Sequence, residues 1–338
     1  MNRKVLYFVA PGQVELREEP IPRLAADQVL IQTRVSAISA GTEMLLYRGQ
    51  LPRDDISQND PFSSGLKYPT PYGYACVGRV EDVGSSVHRR LQDCLVFAFQ
   101  PHCSHFVIRS DALIEVPEGL SDDEAVFLPN METAVNLVQD AAPILGERVL
   151  VLGQGVVGLL TTALLRRFPL ASLVSAERYV LRRQASLRIG VEAALDPALD
   201  DFYAKALGHG LPSQSGFDLT IELTGNPAAL DDAIALTAFS GRIVIGSWYG
   251  EKRAAIGLGG KFHRSRIRLI SSQVSSISPE LSGRWDKARR FDVAWSALQE
   301  CKPSQWITNR FRIDQAEQAY QLLDKAPEQT LQVIFDYS

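Results

Sequence analysis

Three glycines carry the clearest chemistry in the chain. Gly153, Gly155 and Gly158 stand as GxGxxG in VLVLGQGVVGLLTTALL, directly after an apolar run and at the start of a helical pattern. In that setting the first glycine permits a tight turn, the second lets backbone approach a pyrophosphate, and the third lets the helix pack close to the strand. The first helical turn, with Val156 and Val157, then offers amides and a partial positive charge to phosphates. Glu177 ends the next apolar run, SLVSAE, nineteen positions past Gly158. That is the separation expected for an acid that takes the hydroxyls of an adenosine ribose. A carboxylate there repels a 2′-phosphate and so favours NAD, whereas Arg178 beside it suits NADP. Leu223 and Thr224 follow one later strand pattern, and Gly246 and Ser247 the next. Both pairs fall at carboxyl ends, where such sheets bind ligands, although each also reads as an ordinary turn.

The elements that must hold these groups follow from periodicity. From Val5 to about Val116 short alternating runs (KVLYFV, QVLIQTRVSAI, ACVGRVEDVG, CLVFAFQ, SHFVIR) predict strands joined by turns. A long loop, Arg53 to Gly73, interrupts them. SDDEAVFLPNMETAVNLVQDA has Ser121 as N-cap, with Pro129 expected to interrupt it and leave a helix over about 131–141. Strand and helix patterns then alternate, the signature of parallel βαβ units. Past Ser278 come two helical patterns and a closing strand, TLQVIFDY, which lacks a partner in that segment and is expected to return to the β half. The expected domains are 1–125 with 278–338, around a central 126–277.

At 338 residues, with 46% hydrophobic and 22% charged, the chain is long enough for two domains and too apolar for disorder. A net charge of -4 leaves no basic face for nucleic acid, and the paired arginines 166–167, 182–183 and 289–290 read as solvated helix faces. No apolar run is long enough for a membrane span. The first twenty residues alternate like a strand, without a secretion-signal pattern, and the four cysteines form no CxxC pair; both point to the cytoplasm.

With these residues in view, the chain resembles the medium-chain dehydrogenase/reductase superfamily of zinc-type alcohol dehydrogenases. AISAGTE, PYGYACVGRVEDVG, METAVNLV, GERVLVLGQGVVGLL and the helix before TLQVIF carry the resemblance from end to end. ISAGTEMLLYRG, LPNMETAVN and SSQVS are most similar to the branch with bacteriochlorophyllide hydroxyethyl dehydrogenases. The resemblance implies a GroES-like β domain plus a Rossmann domain with a doubly wound parallel sheet, an α/β protein. It also implies Thr133 beside the nicotinamide, Ser271 to Ser275 (Ser272 among them) on its other side, and pairing of two copies through Rossmann sheet edges, around Ile243 to Trp248.

Zinc-dependent members hold the metal with a cysteine and a histidine where this chain has Ala40 and Tyr74, and Leu128-Pro129-Asn130 supplies no third ligand. A catalytic zinc needs three protein ligands. A structural zinc lobe is missing as well, leaving no metal expected; His102 and His105, alternating on one strand, would face the same side. Without zinc, the hydroxyl of Thr42, matching the family's proton relay, and that of Tyr74 are the catalytic candidates, with Tyr47, Arg48 and His102 behind them. The expected function is a zinc-independent NAD(P)-dependent oxidoreductase acting on an alcohol/ketone pair of small molecules. The alternatives are reduction of a conjugated C=C by an enoyl or quinone reductase, and dinucleotide binding without turnover.

Overall fold

The computed structural model describes residues 1–51, 67–209 and 216–337. Of the long loop, residues 53–66 lie outside the described residues. The chain forms two compact units, Met1–Pro129 with Leu298–Ser338, and Asn130–Ala297.

In the first unit, alternation of apolar and polar residues over Gln28–Ala37 puts Val29, Ile31 and Val35 in the core and Gln32 and Arg34 in water. That strand pairs antiparallel with Cys76–Val83, with His105–Arg109 and with the closing strand Gln332–Asp336, where Ile334 faces Ala37 and Asp336 faces Val35. The C-terminal segment thus completes the sheet begun near the N-terminus, which has seven strands. A smaller sheet of three strands holds Asn2–Ala10 between Gln13–Pro20 and Thr70–Pro71. Phe8, Met44, Tyr72, Tyr320, Leu323 and Phe335 share one core cluster of this unit.

The second unit is a six-stranded parallel sheet in the order 193–195, 172–176, 148–152, 217–222, 237–245, 268–271. This is the doubly wound Rossmann order, with the chain reversing direction of travel beside Arg148–Leu152. All five residues of that strand are buried because both faces are covered. Leu150 and Leu152 pack into one cluster with Phe202 and Phe217, while Val149 and Val151 pack into another with Leu137, Leu173 and Val244.

Several boundaries differ from expectation for local reasons. Ser121 does cap a short helix, Asp122–Ala125, through a reciprocal box with Glu124. Pro129, however, lies in the first turn of Leu128–Ala141, where its missing N–H has no partner to lose, so it opens the helix instead of breaking it. Helix Ala229–Leu236 runs directly into the strand Thr237–Ile245. Ile307–Arg312 is a strand that polarity hides: it lies at the edge of its sheet with every second residue exposed. Among the described residues no helix is long and apolar enough to cross a membrane.

Candidate functional site

The three fingerprint glycines do three different jobs. Gly153 has φ +89°, and a Cβ there would meet the carbonyl of Leu223 at 2.6 Å. At Gly158 a Cβ would come within 2.1 Å of the Gly153 carbonyl oxygen, so helix Val156–Leu165 can approach its strand only without a side chain. Above Gly155 there is open space, the nearest atom being Arg182 Nη1 at 3.9 Å. The helix begins there, and the amides of Val156 and Val157 belong to a first turn that has no intrahelical acceptors. The resulting cradle fits a dinucleotide pyrophosphate. A bound nicotinamide would supply or accept a hydride.

Glu177 lies beside this turn with both carboxyl oxygens engaged: Gln154 N–H donates to Oε2 at 2.8 Å and Tyr179 N–H to Oε1 at 3.0 Å. Arg178 is exposed. The neighbouring arginines are not the solvated face expected of them. Arg183 donates to the carbonyls of Glu177 (2.8 Å) and Arg178 (2.5 Å) and pairs with Asp196 at 2.9 Å, while Arg182 lies over the Tyr179 ring and reaches toward Gly155. Spacing alone gave no sign of this, because a helix face soon after a strand looks the same whether it meets water or a ligand turn.

Leu223 and Thr224 sit at the carboxyl end of Phe217–Glu222, where Thr224 N–H donates to the buried Glu222 carboxyl at 2.7 Å and Tyr249 O–H donates to its other oxygen at 2.5 Å. Ser247 Oγ accepts from Gly225 N–H at 2.9 Å, and Gly246 is packed under Leu137 and Leu223. Ser272 is drawn into a network of its own unit: its hydroxyl donates to Asp140 at 2.6 Å and accepts from Asn136 at 2.9 Å. Thr133, half-buried, lies on the same helix as Asn136. The fully buried Arg290 ties that helix to the strand's exit by donating to Glu132 (2.7 Å), Asn136 (2.7 Å) and the carbonyls of Val274 and Ser276.

In the first unit, SAISAGTE turns into a short helix, Thr42–Tyr47. Tyr74 O–H donates to Ser39 Oγ at 2.5 Å, the Thr42 hydroxyl also engages Tyr74, and Thr42 N–H reaches Ser39 Oγ at 3.3 Å. Three hydroxyls therefore meet beside the exposed Ala40 and Gly41. Burial pushes the Tyr74 phenol up, while the Ser39 and Thr42 hydroxyls pull it back part of the way. Ser39 was not among the expected residues.

Beneath them, Glu43 is wholly buried and accepts from Ser39 N–H (2.8 Å), from Tyr320 O–H (2.5 Å) and from His102 Nε2 (3.0 Å). His102 Nδ1 lies 2.7 Å from Ser36 Oγ, itself 2.8 Å from the Tyr337 hydroxyl. With Nε2–H given to Glu43, Nδ1 is the acceptor and the chain of donors runs from Tyr337 through Ser36 to the imidazole. Gly73, at φ +126°, makes room, since a Cβ there would be 2.9 Å from the His102 ring. His102 precedes the strand His105–Arg109, and since residues three apart on a strand point to opposite sides, the expected shared face does not follow; His105 Nδ1 meets Ser104. Tyr47 stacks on Tyr320, and Arg48 pairs with Asp324 at 2.7 Å.

These donors do not suit zinc. Ala40 and Tyr74 stand at two expected ligand positions, and among the described residues no three His, Cys, Asp or Glu side chains converge as a ligand set. Burial pushes the thiol of Cys103 up to about 12 and that of Cys76 well above its ordinary value.

No family model matches the chain. It is 24% identical over 309 residues to D-guloside 3-dehydrogenase of Escherichia coli (strain K12), covering 87% of this chain and 88% of that one. Among solved structures it is similar to the alcohol dehydrogenase RspB of E. coli CFT073 complexed with NADH (TM-score 0.79, 18% identity, 99% of each chain). A dehydrogenase of Sinorhizobium meliloti 1021 bound to NADP is similar at TM-score 0.78, 18% identity and 99% of each chain. Other relatives and neighbours include threonine, sorbitol and butanediol dehydrogenases. The homologues are thus oxidoreductases, and their names support NAD(P)-dependent alcohol oxidoreduction. The relatives and structural neighbours are zinc-type, medium-chain dehydrogenase/reductase proteins, and the fold of this chain, a GroES-like β unit with a Rossmann unit, is theirs.

Proposed function

We propose that the chain is a zinc-independent NAD(P)-dependent oxidoreductase of an alcohol/ketone pair, with Tyr74 as the proton donor and Thr42 beside it. The observation that carries this reading is the Ser39–Thr42–Tyr74 hydroxyl cluster, standing where a metal-ligand set would otherwise be needed. As a carbonyl is reduced, its carbon gains the hydride and its oxygen gains negative charge. Tyr74, kept protonated by burial, donates its proton to that oxygen. The phenolate left behind is stabilised by Ser39 and Thr42 turning their O–H groups toward it, and solvent next to Ala40 and Gly41 returns the proton. Alcohol oxidation is the reverse.

NAD is favoured over NADP in this reading, because Glu177 stands at the ribose position; Arg178 and Arg182 are the groups a 2′-phosphate would use. A homodimer in the cytoplasm belongs to the same reading. Titration with NADH and NADPH, followed by a panel of ketones, aldehydes and enones, tests it. Turnover of enones alone would move the assignment to a conjugated-bond reductase, and cofactor binding without any oxidation would make the chain a non-catalytic binder.

A further inference from the structure

A pocket lies in the Asn130–Ala297 unit, away from the fingerprint turn. It has a volume of about 580 Å³ and is lined by Ser240, Phe262, His263, Arg266, Ile267 and Arg268. Two arginines and a histidine line it, and no carboxylate does. Among the described residues none of these three side chains makes a hydrogen bond or an ion pair. Glu147, whose charge Arg268 feels, is already taken by Arg242 in a two-pronged pair at 2.6 and 2.7 Å. His263, Arg266 and Arg268 are exposed at the mouth of the pocket, and of these only Arg268 feels the field of Glu147.

The backbone here is unusual as well. Ser240 (φ +57°) and Arg266 (φ +53°) are both non-glycine residues in the left-handed region, and Ser240 N–H donates to Ser265 O at 2.7 Å. Phe262 and His263 come off a π-type turn, Leu258–Phe262. Strained residues and π-turns tend to gather where a site demands them.

Topology separates this pocket from the dinucleotide site. Arg268 opens the strand Arg268–Ser271, whose partner in the register is Arg242, and Ser240 lies nearer still to the amino end of Thr237–Ile245. The fingerprint turn follows a carboxyl end of the same parallel sheet, the edge at which such sheets take dinucleotides.

We propose that this pocket binds a phosphate monoester, its dianion held by Arg266 and Arg268 with His263 and Ser240 as further donors, and its organic part against Phe262 and Ile267. Planar guanidinium forks match phosphate oxygens, and an adjacent aromatic ring separates an ester from bare phosphate.

Calorimetric titration of the full chain with phenyl phosphate, and in a second arm with inorganic phosphate, tests this. One phenyl phosphate should bind per chain, more tightly than inorganic phosphate. Equal affinity would still support the anion site and name free phosphate as its ligand. Arg268→Gln and Arg266→Gly should each weaken binding about tenfold or more. Arg266→Gly relaxes the left-handed backbone, so the fold is kept while the cation is removed. In the Gly155→Val background binding should persist, because the dinucleotide turn takes no part. Absence of saturable binding, unchanged affinity in Arg266→Gly, or loss of binding in the Gly155→Val background would each overturn the proposal.

Discussion

The two candidate sites are built in opposite ways. The fingerprint turn is made of backbone: one stretch of six residues, three of them glycine, between a strand and its following helix. The hydroxyl cluster and its support are made of side chains drawn from Ser36, Ser39, Thr42, Glu43, Tyr74, His102, Tyr320 and Tyr337, separated by up to 301 positions. A local backbone site depends on which positions lack a Cβ, whereas a long-range one depends on every donor finding its acceptor. The two should fail differently.

The largest effect is expected at Glu43. Its replacement by Ala leaves Tyr320 O–H, His102 Nε2–H and Ser39 N–H without their shared acceptor, which should cost roughly 3–5 kcal/mol in chemical denaturation. A loss under 1 kcal/mol would mean that the network does not hold the turn. Next is Gly155→Val: the space is open, so the fold should survive while dinucleotide affinity falls about a hundredfold or more. Gly158→Ala should do the converse, lowering stability by about 1–3 kcal/mol because its Cβ meets the Gly153 carbonyl. If both glycine variants lost only stability, the distinction between cradle and packing would be wrong.

Alkali gives a smaller, graded effect. Cys76, Cys103, Tyr320 and Tyr337 of the first unit all have pKa values raised by burial, Cys103 to about 12. The folded state then holds protons that the unfolded chain releases, so their contribution is complete below about pH 9 and is lost between about 9 and 12. In the second unit the raised groups are the tyrosines 203 and 249 and Asp140. Hydrogen exchange at rising pH should therefore show protection falling first in the strands around Cys76 and Cys103.

The same contrast explains how far the sequence could be read. GxGxxG, its flanking apolar runs and the acid after the second strand are contiguous patterns, and the parallel sheet follows from them. Thr42 and Tyr74 were singled out by resemblance, one at a proton-relay position and one at a metal-ligand position, and the structure brings their hydroxyls together. Ser39, the Glu43–His102 pair and the role of Tyr320 were not, because their meeting depends on sheet register and on the return of the C-terminal strand. Arg182, Arg183 and Arg290 looked like surface charges, for a lone arginine on a helix carries no sign of the carbonyls it will meet. Pro129 misled for a simpler reason: one position decides whether a proline starts a helix or breaks it.

The most direct test of the central claim is steady-state oxidation of the preferred reduced nicotinamide by a ketone substrate, after exhaustive dialysis against a chelator, with the native chain and Tyr74→Phe side by side. Turnover should survive chelation and fall about 10²–10⁴-fold in Tyr74→Phe. Activity that disappears with the chelator and returns with zinc, or that is indifferent to loss of the Tyr74 hydroxyl, would contradict the account.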